Sequence, residues 1–393
     1  MLVIDVVVVG ALIAAVVIGA SRGLVASLGT IAGLVLGGFL ASWLVPVLGP
    51  VLVDLIPAST WRSVISAAIA VGLVVGCAAI GSAIGSAIRR GVDRAKLSVL
   101  DRGLGAIAGA AAAALVLLMV GQSIVATGAP ALAPAVASSR VLGWIDDLTP
   151  APVDSALAQV RSLVIDEGLP TLGDLLDVQA TSTAPPVALD DPALQAAAGS
   201  VARISGTAYA CGVSLTGSGF VVAPDLLATN AHVVAGVDTP LVELPGREAR
   251  EGRVVYFDPT DDIALVAVDD LGAPALVLGD LAVGDAAVVQ GYPHGGPFTS
   301  GGASVLSIGV VDVPDIYDAA SSPREIYSLG ADVQPGNSGG PLLTSAGAAA
   351  GIVFARGEDG TARGYAIAMS ELEPALAATD DDSAAVATGA CAN

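Results

Sequence analysis

Four long apolar stretches occupy the first third of this 393-residue chain. They cover approximately residues 2–20, 23–45, 64–88 and 104–127, and almost no charged residue lies inside them. A helix of about 20 apolar residues crosses the hydrocarbon core of a bilayer, so each stretch is long enough to span it. Four such segments in succession do not suit the core of a water-soluble protein. The sequence therefore predicts a four-helix transmembrane domain over residues 1–128.

The first apolar stretch has two interpretations. It could be a signal peptide, but no basic residue precedes it and the next apolar stretch begins within three residues of its end. We therefore interpret it as a retained helix. No ionisable residue lies in the middle of any of the four stretches, which argues against a proton relay or an ion pathway.

Basic residues predict how the domain is oriented. The connection between the second and third stretches offers only Arg62. The connection between the third and fourth carries Arg89, Arg90, Arg94, Lys96 and Arg102. Cytoplasmic loops are enriched in Lys and Arg, so we place the latter connection in the cytoplasm. The rest of the chain, after residue 128, is then expected on the extracytoplasmic (periplasmic) side of the cytoplasmic membrane, anchored by a multi-pass domain in the lipid bilayer.

Glycines recur at four-residue intervals inside the apolar stretches. They are Gly29, Gly33 and Gly37, Gly81 with Gly85, and Gly105 with Gly109. This spacing lets helix backbones approach closely in lipid. We expect packing within one subunit, with homo-oligomerisation through these helices as the alternative. The strings Arg22-Gly23 and Asp101-Arg102-Gly103-Leu104-Gly105, with Gly109, resemble the colicin V production protein family, which implies a four-helix membrane domain.

Residues 129–197 form a linker rich in Ala, Pro, Ser and Asp, in which two short amphipathic segments, near 153–164 and 171–178, are expected to be helical. The string Thr-Ser-Thr-Ala-Pro-Pro at 181–186 is typical of a flexible segment that proteases can cut. Beyond the linker, residues 196–393 hold seven Arg against 24 Asp and Glu. A domain this acidic repels phosphates, so we expect no nucleic acid partner.

The pattern changes again from residue 198. Short runs of Val, Ile, Leu and Ala are broken by Gly, Pro and Asp about every 8–12 residues, which is typical of a β-barrel or sandwich. Residues 198–393 are therefore predicted to form an all-β domain.

Three polar motifs lie within this all-β segment. Thr-Asn-Ala-His-Val-Val contains His232, Asp-Asp-Ile-Ala-Leu contains Asp262, and Pro-Gly-Asn-Ser-Gly-Gly-Pro-Leu contains Ser338. Taken singly, they could be a core histidine, a turn acid and an ordinary glycine turn. A serine hydroxyl that attacks a carbonyl needs a base for its proton and backbone N–H groups for the oxyanion. The order His, Asp, Ser on a β-rich segment is that of the chymotrypsin-like triad.

The three strings closely resemble those of the high-temperature-requirement serine proteases over roughly residues 200–376. This resemblance implies a chymotrypsin-like fold of two six-stranded barrels with the active site between them. We expect no PDZ domain after the second barrel. The whole arrangement instead resembles the actinobacterial acid-resistance periplasmic proteases. That family implies a membrane-anchored serine endopeptidase acting on cell-envelope polypeptides, in resistance to acid or oxidative stress.

The resemblance also assigns roles. It makes Ser338 the nucleophile, His232 the general base and then acid, and Asp262 the residue that orients the imidazole. The backbone N–H groups of Gly336 and Ser338 would form the oxyanion hole. Asp261 is the alternative to Asp262. This chemistry requires no cofactor or metal ion, and none is expected.

Specificity is less constrained. Asp332 lies six residues before Ser338, the spacing at which trypsin-like enzymes place the acid that selects Arg or Lys, but it could equally be a solvated loop acid. Ile352 and Val353 belong to the strand expected to form the pocket wall. His294 is expected to be a loop residue without a catalytic role.

The positions of the three cysteines fit the predicted division of the chain. Cys77 lies in an apolar stretch and is interpreted as a small buried side chain. Cys211 and Cys391 lie near the two ends of the all-β segment and can pair in an oxidising compartment. Closing a loop of this size would stabilise the fold by about 4–5 kcal/mol in the chain-entropy treatment.

Two other functions are compatible with the chain. One is a catalytically silent membrane scaffold whose barrel domain binds exported peptides. The other is a transporter or secretion component with an accessory protease, which the lack of intramembrane charge disfavours.

Overall fold

The computed structural model describes most of the chain in two compact units. The described residues are 2–34, 36–37, 40, 44, 69, 72–73, 75–87, 98–126, 132–150, 152–153, 157–158, 169–172, 188–208, 213–357, 362–380 and 383–392. One unit comprises Met1–Gly121 and Ser139–Thr149, and the other comprises Gln122–Ser138 and Pro150–Asn393. The boundaries predicted at residues 128 and 197 stay predictions.

The first unit is helical. Its longer described helices are Leu2–Arg22, Leu24–Leu34, Val75–Ala87, Ser98–Ala126 and Arg140–Leu148. The first four each overlap one predicted apolar stretch. Two segments, Val3–Arg22 and Val99–Gln122, are long and apolar enough to cross a membrane. The second and third predicted stretches lie partly outside the described residues, so a four-span domain is not established.

Glycines bring these helices into backbone contact. A Cβ added to Gly19 would lie 3.1 Å from the carbonyl carbon of Gly105 and 3.2 Å from the Cα of Gly109. A Cβ on Gly29 would lie 3.0 Å from the carbonyl carbon of Gly81. Any side chain there would force the helices apart. The expectation that the glycines serve packing within one chain is confirmed at these positions.

The motif residues of the colicin V resemblance meet where the first helix ends. Gly23 has a φ of +80°, a conformation that favours glycine. A Cβ there would lie 2.7 Å from the Asp101 carboxyl carbon. The Val25 N–H donates to the Asp101 carboxylate at 3.4 Å. Asp101 thus supports the start of the second helix, as a carboxylate does at a helix N-terminus.

The second unit contains two β-sheets, of which the first is a barrel. Its strands are β2 (Val201–Ala208), β3 (Val213–Ala223), β4 (Leu226–Thr229), β5 (Leu241–Glu243), β6 (Arg250–Glu251), β7 (Arg253–Asp258) and β8 (Ile263–Ala267). They are ordered β6-β5-β2-β3-β4-β8-β7. Only Gly252 separates β6 from β7, so one bent strand connects both edges of the sheet and closes the barrel.

The second sheet also closes into a barrel. Its strands are β1 (Thr171–Leu172), β9 (Ala286–Gly291), β10 (Thr299–Pro314), β11 (Ser321–Gly330), β12 (Pro341–Thr344), β13 (Ala349–Gly357) and β14 (Arg363–Ala368). Strand β14 pairs with both β11 and β13, which completes a ring of six. The seventh strand, β1, comes from the predicted linker and pairs in parallel with β13, Thr171 opposite Arg356. Six strands were expected, and the linker adds one. The segment near 171–178 was expected to be helical, and its first two residues form a strand instead because they pair with β13. Residues 173–178 and most of 153–164 lie outside the described residues.

A shared core joins the two barrels. Phe220 and Leu265 of the first barrel and Val288 and Ile352 of the second belong to one cluster of buried side chains. Leu372, from the helix Met369–Ala377, joins the same cluster. Each fully buried side chain of this size contributes roughly 1.5–3 kcal/mol. This core fixes the barrels against each other, and with them the loops that meet between them.

The C-terminal segment lies on the first barrel. The Gly236 N–H donates to Thr388 O at 3.0 Å, and the Val386 N–H donates to Val254 O at 2.9 Å. Cys391 is disulfide-bonded. Cys211 lies outside the described residues, so the pairing of Cys211 with Cys391 stays a prediction.

Candidate active site

His232 lies where the first barrel meets the second. Strand β4 ends at Thr229, and the chain then forms a single helical turn, Ala231–Val234. The neighbouring apolar residues of this turn are buried, which holds the turn against the barrel. The His232 side chain itself is only 3% exposed.

Asp262 directly precedes β8 and faces the imidazole. Its Oδ2 lies 2.8 Å from the Nδ1 of His232, and its Oδ1 accepts a hydrogen bond from the His232 backbone N–H at 3.0 Å. A carboxylate partner places the ring proton on Nδ1 and leaves Nε2 as an acceptor. Asp262 has a φ of +57°, which is uncommon for a residue with a side chain. The alternative acid, Asp261, instead accepts from the Ser322 hydroxyl at 3.2 Å.

Asn230 connects the three motifs. Its side-chain Nδ2 donates to the backbone oxygen of Asp262 at 2.9 Å, and its Oδ1 accepts from the Gly339 N–H at 2.7 Å. Both bonds are buried. The sequence reasoning missed this residue. Although Asn230 precedes the helical turn, its side chain does not cap that turn.

The serine loop is shaped by glycines and held by Ser218. Gly336 and Gly339 have φ angles of +89° and +81°. The Ser218 hydroxyl donates to Gly336 O at 2.7 Å, and the Ser218 N–H donates to Ser338 O at 2.7 Å. Ser218 lies in β3 of the first barrel, so the loop of the second barrel is fixed across the interface. The sequence reasoning missed Ser218 as well, since nothing in its local sequence marks it.

The two atoms expected to exchange a proton are both buried and unpartnered. Neither Ser338 Oγ nor His232 Nε2 has a hydrogen-bond partner among the described residues. Buried polar atoms of this kind are rare in folded proteins, and a catalytic role is one reason for them. Hydrogen bonds between catalytic groups often tighten only when substrate is bound.

A cavity of about 280 Å³ opens beside His232 and Asp262. Arg324, Phe354 and the end of β10 line it, together with the linker segment around β1. Burial lowers the pKa of the Arg324 guanidinium, while nearby carboxylates oppose that shift, Asp262 most strongly. The site therefore contains a buried cation on the side of the acid.

The other predicted site residues lie around the serine loop. Asp332 is exposed, and its Oδ1 accepts from the Gln334 side chain at 2.5 Å. Ile352 and Val353 are fully buried in the core. The His294 N–H donates to Pro335 O at 2.6 Å, so its backbone supports the loop. Among the described residues, no group of three or more His, Cys, Asp or Glu could hold a metal ion.

Comparison with protein families matches both units. Residues 217–352 match the family described as trypsin-like peptidase domain, and residues 4–150 match the family described as colicin V production protein.

Individual proteins also resemble the chain. The serine protease Rv3671c of Mycobacterium tuberculosis is 36% identical over 271 residues, which are 67% of each chain. The crystal structure of the Rv3671c protease in its active form superposes with a TM-score of 0.51 at 34% identity, covering 57% of this chain and 95% of that one. A probable periplasmic serine endoprotease, DegP-like, of Pseudomonas fluorescens is 36% identical over 35% of this chain and 28% of its own length.

These matches support a membrane-associated serine-type endopeptidase whose substrates are polypeptides. The chain belongs to the same family of serine proteases as Rv3671c and combines a colicin V production domain with a trypsin-like peptidase domain.

Proposed function

We propose that the chain hydrolyses peptide bonds of cell-envelope proteins through an acyl-enzyme formed on Ser338. The observation that carries this proposal is the His232–Asp262 contact of 2.8 Å, together with the buried, unpartnered Nε2 and Ser338 Oγ. With its proton on Nδ1, the imidazole can accept the serine proton through Nε2 and then pass it to the leaving amine. Asp262 orients the ring and stabilises the imidazolium that forms. Water then attacks the acyl-enzyme by the same route.

The oxyanion hole is proposed to consist of the Gly336 and Ser338 N–H groups. Neither N–H donates to another described residue. The left-handed conformation of Gly336 turns the backbone directly before the nucleophile. A donor of this kind typically contributes about 2.7–4 kcal/mol to the transition state.

The pocket for the substrate side chain is proposed near Asp332, Ile352 and Val353. The exposure of Asp332 fits a solvated loop acid as well as a pocket residue. Comparing kcat/KM for peptides with Arg or Leu before the scissile bond, in wild type and Asp332→Asn, decides between these interpretations. If Asp332 is a pocket acid, Asp332→Asn should lower the ratio of kcat/KM for the Arg peptide to kcat/KM for the Leu peptide at least tenfold, because a charge-assisted hydrogen bond is lost.

The test of the triad is labelling of the full chain in isolated membranes with a fluorophosphonate probe. Wild type should label, and both Ser338→Ala and His232→Ala should not. Ser345→Ala is the matched control, because this serine is exposed and seven residues from the proposed nucleophile. It should label at the wild-type rate.

Other outcomes identify the competing function. If wild type fails to label while an isotope-labelled exported peptide still binds the membranes, the barrel domain is a silent scaffold. If labelling survives in Ser338→Ala, another residue is the nucleophile and the proposed triad is wrong.

We further propose that the helical unit spans the cytoplasmic membrane several times and leaves the peptidase domain on the extracytoplasmic side. Two apolar helices and the distribution of basic residues support this orientation. Single cysteines at Arg94 and Ser383, introduced into a Cys77→Ala background, test it with a membrane-impermeant maleimide in intact cells. Only the cysteine at position 383 should react. Homo-oligomerisation through the membrane helices stays a prediction that crosslinking would test.

A role in resistance to acid is proposed from family resemblance alone. A deletion strain complemented with wild type should survive acid exposure better than one complemented with Ser338→Ala. Equal survival would remove this role while leaving the peptidase activity intact.

A further inference from the structure

Arg324 in β11 is a fully buried cation, with 0% of its surface exposed. One terminal nitrogen donates to Val313 O at 3.0 Å and to Pro314 O at 2.5 Å. The guanidinium lies 5.9 Å from the centre of the Phe354 ring. Its Nε is buried and has no partner among the described residues. Burying an arginine in this way is costly unless nearby negative charge offsets the lost hydration.

The carbonyl groups held by Arg324 end strand β10, where the chain turns into the hairpin that connects β10 to β11. This hairpin contacts the loop that carries Asp262. The Ile316 N–H donates to Pro259 O at 3.1 Å. The Ser322 hydroxyl contacts Thr260 O at 3.3 Å. Arg324 thus anchors a part of the second barrel that rests directly on the aspartate loop of the first.

That loop needs support from outside. Asp262 keeps a φ of +57°, which a residue with a side chain holds only when its surroundings impose it. Within the first barrel, the Asn230 side chain binds its backbone oxygen. From the second barrel, the hairpin holds the residues just before it.

The charge of Arg324 also acts on the Asp262 side chain. Four carboxylates favour the protonated form of the Arg324 guanidinium. Asp262 has the largest effect, followed by Asp261, Glu371 and Asp258. Because Coulomb attraction is mutual, the guanidinium also attracts the Asp262 carboxylate. Arg324 and Asp262 both line the cavity beside the imidazole.

We propose that Arg324 is a positioning residue for the catalytic triad, which secures the Asp262 loop through the β10–β11 hairpin and attracts the Asp262 carboxylate through its buried charge. This proposal rests on the triad proposed above. It adds a second-barrel contribution to an acid carried by the first barrel.

A double-mutant cycle on the full chain in membranes tests the proposal. The second-order rate of fluorophosphonate labelling is measured for wild type, Arg324→Met, Asp262→Asn and the double variant. Arg324→Met should slow labelling about tenfold when Asp262 is present and by less than about twofold in Asp262→Asn, because coupled residues show non-additive effects. The same slowing in both backgrounds would overturn the proposal, since general damage to the barrel does not depend on Asp262.

Arg324→Lys separates charge from shape. It keeps the positive charge and should label at least threefold faster than Arg324→Met. Equal rates for the two variants would overturn the contribution of charge. If Arg324→Met does not fold, as judged by its unfolding temperature in detergent, the cycle is run with Arg324→Lys. Failure of the triad itself is recognised separately, because wild-type labelling would then be absent or insensitive to Ser338→Ala.

Discussion

Asn230 donates its side-chain amide to the backbone oxygen of Asp262 at 2.9 Å. The residue two positions before the imidazole therefore fixes the backbone of the acid that orients it. Through its Oδ1, the same side chain also holds the Gly339 N–H, one position after the proposed nucleophile. A single buried amide thus connects three loops that lie far apart in the sequence.

We predict that Asn230→Ala lowers kcat at least tenfold while KM changes little, because the triad is displaced rather than the substrate site removed. Asn230→Asp should be worse, since it places a carboxylate oxygen against Asp262 O. Steady-state kinetics on a fluorogenic peptide measure both effects. Gln195→Ala, which removes an exposed amide bonded to Asp190 O, is the control and should leave kcat unchanged. A rise in KM alone would contradict the predicted role.

We predict that Gly336→Ala abolishes fluorophosphonate labelling. The residue has a φ of +89°, and a Cβ there would lie 2.8 Å from the His294 backbone nitrogen. Strain and collision would together displace the oxyanion hole. Two control glycines both lie in open space. Gly284 has a φ of +90°, so an alanine there introduces strain without collision, whereas Gly302 has no positive φ, so an alanine there introduces neither. Gly302→Ala should behave as wild type, and Gly284→Ala should lose some stability but keep its labelling rate.

The sequence predicted the β fold of the second unit and the contact between His232 and Asp262. The four-helix membrane fold of the first unit stays a prediction. His232 and Asp262 lie in short sequence motifs whose residue types are typical of a serine protease. The short apolar runs separated by turn residues are typical of a β-barrel. Asn230 and Ser218 escaped prediction because each bonds a backbone atom of the serine loop that lies more than 100 positions away. Such contacts depend on the assembled barrels and leave no local pattern.

The strand contributed by the linker could not be predicted either. β1 has two residues, too few to show an alternating pattern, and it follows a segment of linker composition. Its pairing is parallel to β13, whereas neighbouring strands of the barrel pair in the antiparallel sense. Short edge strands of this kind depend on the sheet already being present.

We predict that Asp315 makes stability depend on pH near the hairpin. Hydrogen bonds from the Ala319 and Tyr317 N–H groups lower its pKa from the ordinary 3.8. A group whose pKa is lowered by folding stabilises the protein above that ordinary value, and this contribution is lost as the pH falls through the lowered pKa. The unfolding temperature of Asp315→Ala should therefore be below that of wild type at pH 6, and the difference should shrink towards pH 2.

Asp312→Ala is the control for this measurement. Asp312 lies exposed in the same hairpin, three positions earlier. Its variant should follow wild type at both pH values. A difference between Asp315→Ala and wild type that stays constant with pH would show that the lost contribution is not electrostatic.

We predict that Cys211 and Cys391 form one disulfide that ties the C-terminal segment to the first barrel. A Cβ built on Gly236 would lie 3.1 Å from the Cys391 Sγ and 3.2 Å from the Ala208 Cβ, so Cys391 lies near the end of β2, and Cys211 follows three positions later. Cys211→Ser and Cys391→Ser should destabilise the protein by the same amount, up to about 5 kcal/mol in the chain-entropy treatment, and the double variant should lose no more. Urea unfolding followed by tyrosine fluorescence measures this, because all six tyrosines lie in the all-β segment. A reductant should lower the free energy of unfolding of wild type to that of the variants. Cys77→Ser is the control and should keep the wild-type free energy of unfolding. Additive losses in the double variant would show that the two cysteines do not share a bond.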